Sequence, residues 1–254
     1  MDTIDPQKYQ PAPDAFAGRI ILVTGATAGI GRAVAEALVR LGAQTILLGR
    51  RTQRLDALHA DLAALGPEPA VALLDFERAQ GDQYMALTEQ IESRFGRLDG
   101  LLLNAGILGD RSPIEHYDIG VWQKVMHVNF NSQFILTRCL LPLLRKSGDA
   151  SILFTTSGVG NRGRAHWGAY CASKFATEGL MQVLAAELAN TKIRVNCVNP
   201  GGTRTRMRAH AFPCEDPLTL PEPADIVSTY LYLLGPDSAG VSGERLNCQG
   251  SSDA

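Results

Sequence analysis

The run "RIILVTGATAGIGRAVAEALVRLG", residues 19–42, decides the fold. Its opening, "RIILV", is a continuous apolar segment of strand length. Its second half carries Val34, Ala35, Leu38 and Leu41 at helical spacing and stops at Gly42, a residue suited to ending a helix. Between them lies "TGATAGIG", residues 24–31, with Gly25, Gly29 and Gly31. A glycine-rich turn from a buried strand into a helix collects unpaired backbone N–H groups that can receive a phosphate, and glycine lets the phosphate approach closely. Gly25, Thr27, Gly29, Ile30 and Gly31 are the candidates for such a cradle.

Outward from this unit the alternation continues. Strands are expected at "QTILLG", "AVALLDF", "LDGLLLN", "ASILFTTS", "IRVNCVN" and, near the end, "ERLNCQ". Helices are expected at "TQRLDALHADLAAL", "DQYMALTEQIESRF", from about Asp118 to Arg145, from about Ala169 to Ala189, and at "ADIVSTYLYLLG". Seven strands written as apolar runs, alternating with helices, predict an α/β fold: a doubly wound parallel sheet with helices on both faces. No linker breaks the rhythm. One Rossmann-type domain is expected over residues 18–254, preceded by an extended arm at residues 1–17, with an irregular stretch over about 202–222.

Composition excludes several classes. The 254 residues carry a net charge of −2 with 20% charged residues, so no basic excess points to nucleic acid. Five cysteines, an odd number without a C-x-x-C pair, argue against a disulfide framework and a zinc site. The histidines also lack metal-site spacing, and no metal is expected. The acidic, proline-containing N-terminus is no signal peptide, and no apolar run is long enough to span a membrane. A cytoplasmic protein is the expectation.

Ligands of such sheets bind beyond the carboxyl ends of the strands. There the second strand ends in "LLGRRT", where an acid for a cofactor ribose would normally stand. Arg50 and Arg51 suit the 2′-phosphate of NADP(H) instead, favouring it over NAD(H). The lesser alternative is two solvated surface arginines. Asp75 follows strand three, where an adenine edge would lie, and Asn104-Ala105-Gly106 follows strand four. A second glycine cluster, "SGVGNRG" at residues 157–163, matches G-x-G-x-x-G letter for letter. It leads into "RAHWGAY", which is not yet a regular helix, so a loop at a strand end is the better reading. Next comes "YCASK": Tyr170 and Lys174, spaced i, i+4, share one helix face. A neighbouring ammonium lowers a tyrosine's pKa and fits it for proton transfer to a substrate oxygen. Ser157 ends strand five, within reach of the same oxygen.

"TGATAGIG", "NAG", Ser157 with Tyr170-x-x-x-Lys174, and "NPGGTRT", in this order over about residues 18–250, resemble the short-chain dehydrogenase/reductase family. "RIILVTGA", "NPGGTRT" and "GAYCASKFATEG" resemble a bacterial YciK-like oxidoreductase subgroup. The resemblance implies strand order 3-2-1-4-5-6-7 and a homodimer or homotetramer formed through two long helices. It implies Tyr170 as general acid/base, Lys174 on the nicotinamide ribose, and Ser157 orienting the carbonyl. Asn129, preferred over Asn131, would anchor a water in a proton relay, and Pro200, Gly201 and Thr203 would border the nicotinamide and diphosphate. The function expected is NADP(H)-dependent oxidoreduction of a small-molecule carbonyl or alcohol. A redox-sensing protein that holds NADP(H) without turnover is the alternative. An extended epimerase is disfavoured, because its glycine loop and larger C-terminal region are missing. In the 157–163 loop, Val159, Arg162, His166 and Trp167 are pocket-wall candidates, with His166 read as a surface residue. Arg204, Arg206 and Arg208 could greet an anionic substrate or form a solvated face.

Overall fold

The computed structural model describes residues 4–250. The first three residues of the expected arm and the last four of the expected domain lie outside the described residues. The strands are β1 (Ile20–Thr24), β2 (Gln44–Gly49), β3 (Ala70–Leu73), β4 (Gly100–Leu103), β5 (Ala150–Thr155), β6 (Ile193–Asn199) and β7 (Arg245–Asn247). The helices are α1 (Gly29–Arg40), α2 (Thr52–Ala63), α3 (Gly81–Phe95), α4 (Ile119–Met126), α5 (Ser132–Arg145), α6 (Gly168–Glu187), α7 (Arg206–Ala211) and α8 (Val227–Leu234). All seven strands pair in parallel in the order β3-β2-β1-β4-β5-β6-β7.

The apolar runs explain why both faces are covered. Successive strand side chains point to opposite faces. In β1, Ile20 and Leu22 join one core with Tyr84, Leu87 and Ile91 of α3 and Leu136 and Leu140 of α5. Ile21 and Val23 join the other with Val34 and Leu38 of α1, Leu55 of α2 and Leu233 of α8. The edge strands depart from this: β3 exposes Val71 and Leu73 on one face while Ala70 and Ala72 are buried, and β7 is only partly buried along its length. No described helix is long and apolar enough to cross a membrane.

Three local features go beyond the sequence pattern. Residues ahead of β1 make a short 3-10 turn at Pro6–Lys8 and then sink Tyr9 and Phe16 into the core against α8 and α1. Tyr9 stacks edge-on against Tyr232 at 5.4 Å and donates to Asp237 at 2.8 Å. Burying each such ring stabilises the fold by roughly 1.5–3 kcal/mol. The expected helix over 118–145 is interrupted by a π-turn at His127–Asn131. The irregular stretch over 202–222 contains the short helix α7 and a 3-10 turn at Pro217–Thr219.

Candidate active site

The order of strands reverses between β1 and β4, and at this switch point a cleft of about 770 Å³ opens along the carboxyl ends of the sheet. Its first wall is the turn from β1 into α1. Gly25 and Gly29 adopt φ of 65° and 54°, conformations that L side chains rarely hold. The N-cap of α1 is Ala28, and no side chain caps the helix start. Its free N–H groups therefore face the cleft with the positive end of the helix dipole behind them. Gly31 lies outside the cleft lining and acts through packing. A Cβ there would come within 2.4 Å of the Gly25 carbonyl oxygen and 2.6 Å of Asn104 Nδ2.

The neighbouring strand ends fix the floor. Thr24 Oγ1 accepts from the backbone N–H of Asn104 at 2.9 Å and of Ala105 at 3.0 Å, clamping the 104–106 turn to β1. Asp75 lies two residues past β3 and lines the cleft, its Oδ1 accepting from the Glu77 N–H at 3.1 Å. After β6, Gln249 donates to the carbonyls of Pro200 at 2.7 Å and Gly202 at 2.9 Å, holding the loop that carries Gly201 and Thr203 along the cleft.

At one end of the cleft stand Arg50 and Arg51, with Arg54 beside them. Arg51, then burial, then Arg206 and Arg50 push the Arg54 guanidinium below its ordinary pKa, so four like charges converge here. Sequence reasoning missed Arg54 and Arg206 as members of this group. Arg54 stands in the first turn of α2, just after the Arg50-Arg51 pair, and its charge close to theirs in sequence is the signal that could have found it. Arg50 also reaches Glu77 at 3.3 Å, which in turn pairs with Lys124 at 2.7 Å.

At the other end lie Ser157, Tyr170 and Lys174. Ser157 is within hydrogen-bonding reach of the Tyr170 hydroxyl. The expected lowering of the Tyr170 pKa is reversed. Burial pushes Tyr170 up to about 12 against the opposing Ser157 bond, and burial pulls Lys174 down to about 8. The ammonium is turned to the Thr155 carbonyl, to which it donates at 2.7 Å, and its Nζ stands 5.6 Å from the Tyr170 ring centre. Tyr170 therefore holds its proton at neutral pH. Asn129 is fully buried in the π-turn and does not line the cleft. Its Oδ1 accepts from Ile107 N at 2.8 Å, and its Nδ2 donates to Ile107 O at 2.9 Å and Ser173 Oγ at 3.1 Å. The side-chain amide is thus committed to bracing α6 against the turn after β4.

The second glycine cluster forms no cradle. Gly158–Gly160 is a 3-10 turn, and residues 161–166 are exposed before α6 begins at Gly168. Gly160 is small because a Cβ would meet Thr156 Oγ1 and Glu178 Oε1, both at 2.4 Å. Of the pocket-wall candidates in this loop, Trp167 lines the cleft and Val159 is buried in the adjoining cluster, while Arg162 and His166 are exposed and outside the lining. Three residues that sequence reasoning passed over, Leu108, Met207 and Phe212, complete this wall.

A dinucleotide fits this cleft: uncapped helix N–H groups and glycines in the middle, arginines at one end, a Ser/Tyr/Lys group at the other. Fold and site together define an oxidoreductase of the doubly wound α/β class. The chain belongs to the short chain dehydrogenase family, whose model matches residues 19–216. The uncharacterized oxidoreductase YciK of Escherichia coli K12 is 50% identical over 242 residues, 95% of this chain and 96% of that one. A structure from Pseudomonas syringae described as a short chain dehydrogenase superposes with a TM-score of 0.94 at 52% identity, covering 95% of this chain and 99% of that one. Another, from Shigella flexneri 2a in complex with NADP, gives a TM-score of 0.92 at 49% identity, covering 94% and 100%.

Proposed function

We propose that the chain is an NADP(H)-dependent oxidoreductase that interconverts a carbonyl compound and its alcohol. The observation that carries this is the single cleft joining four converged arginines, an uncapped helix start and the Ser157/Tyr170/Lys174 group. Arg50, Arg51, Arg54 and Arg206 would take the 2′-phosphate, with Asp75 near the adenine and Asn104, Ala105 and Gly106 along the adenosine side. Gly25, Thr27, Gly29 and Ile30 would take the pyrophosphate, and Pro200, Gly201 and Thr203 would border the nicotinamide. The NADP bound in the Shigella flexneri relative supports this choice of cofactor. When bound, the nicotinamide supplies the hydride equivalent of the reaction.

The chain supplies orientation and the proton. Ser157 would hold the substrate oxygen beside Tyr170. Tyr170, protonated at neutral pH, would donate that proton as the carbonyl becomes an alkoxide, and would take it back in oxidation. Lys174, with its lowered pKa, would remain an ammonium below about pH 8, favouring the tyrosinate formed by proton loss and contacting the nicotinamide ribose. A water anchored at Asn129 would bind the main chain, since the side-chain amide is committed.

The sensor alternative, cofactor binding without turnover, gives no reason to bury an ammonium next to a protonated tyrosine. Exposed Phe134 on α5 and Phe175 and Val183 on α6 support assembly as a homo-oligomer. Tyr170→Phe is the test: NADPH oxidation with a carbonyl panel should disappear while NADPH binding persists. Turnover retained by the variant would remove Tyr170 from its role.

A further inference from the structure

The substrate end of the cleft has an unusual wall. Trp167 packs against Tyr170 with ring centres 5.8 Å apart, and Phe212 packs against Trp167 at 5.7 Å. Leu108, Val159 and Ala211 complete an apolar cluster continuous with Tyr170. Over the two outer rings sit guanidinium groups. Arg111 lies 5.1 Å from the Trp167 ring centre and 5.2 Å from that of Phe212. Arg164 lies 5.6 Å and 5.4 Å from the same two rings.

The arginines near this wall are not equivalent: Arg204, Arg206 and Arg208 line the cleft, whereas Arg111 and Arg164 stand outside its lining, over the rings. Arg204 is paired with Glu222 at 2.8 Å and Arg208 with Glu215 at 2.6 Å, while Arg206 belongs to the group at the far end. Arg204 and Arg206 are therefore committed away from this wall, and Arg208, whose guanidinium carbon stands 3.9 Å from the Phe212 ring centre, has its charge taken by Glu215. Arg111 and Arg164 are exposed, and among the described residues neither has a carboxylate within ion-pair distance. Arg111 is fixed by donating to the Ala211 carbonyl. A guanidinium beside an aromatic ring keeps N–H donors that match two oxygens of a carboxylate or phosphate, although in Arg111 one nitrogen, Nη1, already donates to Ala211. The buried Trp167 indole N–H also has no partner among the described residues.

We infer that the substrate carries an oxyanion, a carboxylate or phosphate, separated from its reacting carbonyl by a short flat apolar body. The body lies against Trp167 and Phe212 beside Tyr170, and the oxyanion is received by Arg111 and Arg164. This names the substrate class of the activity proposed above and rests on that reading for the position of the carbonyl alone.

The test compares 4-formylbenzoate with its uncharged methyl ester, and with 4-formylphenyl phosphate, as substrates with NADPH and as ligands by calorimetry. The charged probes should show a kcat/KM about tenfold or more above the ester, chiefly through KM. Arg111→Gln and Arg164→Gln should each bring the ratio of charged to ester kcat/KM back toward one. The better of carboxylate and phosphate identifies which oxyanion the natural substrate bears. Equal use of acid and ester by the unaltered protein, or a ratio that neither substitution changes, would overturn the inference while leaving the oxidoreductase intact. If no aldehyde is turned over, the binding arm still decides. Tighter binding of the charged probes that is lost in both variants keeps the oxyanion site and rejects the reductase reading; equal binding rejects the site.

Discussion

Glu178 on α6 accepts a hydrogen bond from Arg245 Nε of β7 at 2.9 Å, and the same guanidinium donates from Nη2 to the Ser157 carbonyl at 3.1 Å. The Glu178 Oε1 atom also accepts from Thr156 Oγ1 at 2.6 Å. Two far-separated elements thus hold the backbone on which Ser157 stands. Glu178→Ala leaves the partly buried Arg245 charge and the Thr156 hydroxyl without their acceptor, and should cost about 2–3 kcal/mol in denaturant unfolding. If the network positions Ser157, kcat should fall about tenfold or more while NADPH affinity holds, because displacement of a reacting group by a fraction of an ångström is felt in the chemical step. Glu178→Gln, which keeps the acceptor for Thr156, should recover part of both. Lost stability with unchanged kcat would make the network purely structural.

The two glycine clusters can be told apart by one methyl group each. Gly31→Ala brings a Cβ to 2.4 Å from the Gly25 carbonyl oxygen, so backbone must move. Alanine's helix preference returns at most about 1 kcal/mol, while forced overpacking costs about 1–3 kcal/mol, so the net change is destabilising. NADPH binding should weaken with it, because Gly25 is displaced. Gly163→Ala meets nothing within 4 Å, and its stability change should stay within about 0.5 kcal/mol. Urea midpoints and an NADPH titration on both variants check this; equal effects at the two positions would reverse the assignment of cradle and loop.

Arg54 is the sharper probe of cofactor choice than Arg50, because Arg50 already shares Glu77 at 3.3 Å. Arg54→Ala should weaken NADPH about tenfold and leave NADH nearly unchanged, since only the 2′-phosphate distinguishes them. The same measurement on Arg206→Ala should give a smaller loss of the same sign. Equal weakening of both cofactors would place the 2′-phosphate elsewhere.

The architecture was legible because its signals are periodic. Continuous apolar strands had to be covered on both faces, and Ile21 against Leu22 does divide between the two cores. The cradle was legible because glycines stood at a strand-to-helix junction. The π-turn at 127–131 was not, because apolar spacing runs on through both flanking helices and the extra residue is absorbed inside one turn. Arg111 and Arg164 were not, because exposed loop arginines carry no period and the wall is assembled from separate loops: Arg164 stands three residues before Trp167, but Arg111 and Phe212 lie 56 and 45 residues from that tryptophan. The direction of the Tyr170 shift was misjudged for a related reason: the i, i+4 spacing is visible in sequence, whereas burial and the turn of Lys174 toward Thr155 are tertiary.

That turn of Lys174 makes a prediction about pH. Burial lowers its pKa from the usual 10.5 to about 8, so the folded chain holds this proton more weakly than the unfolded chain. Below about pH 8 both states are protonated, and the fold bears the cost of a buried ammonium, about 3 kcal/mol at most. Between about pH 8 and 10.5 the unfolded state binds the proton and the folded state does not, so this contribution to stability rises with pH. Lys174→Met removes the charge and with it the rise. The lost bond to Thr155 adds an offset that does not depend on pH. Urea unfolding of both proteins at pH 7, 8, 9 and 10 should therefore show the stability of the variant, relative to the unaltered chain, declining as pH increases. A difference that stays constant would mean that Lys174 keeps an ordinary pKa in the fold. The same proton should appear in function: kcat/KM for carbonyl reduction should fall as pH passes about 8, when the ammonium beside Tyr170 is lost. Coincidence of the two pH dependences would tie the cost borne by the fold to the charge that the chemistry uses.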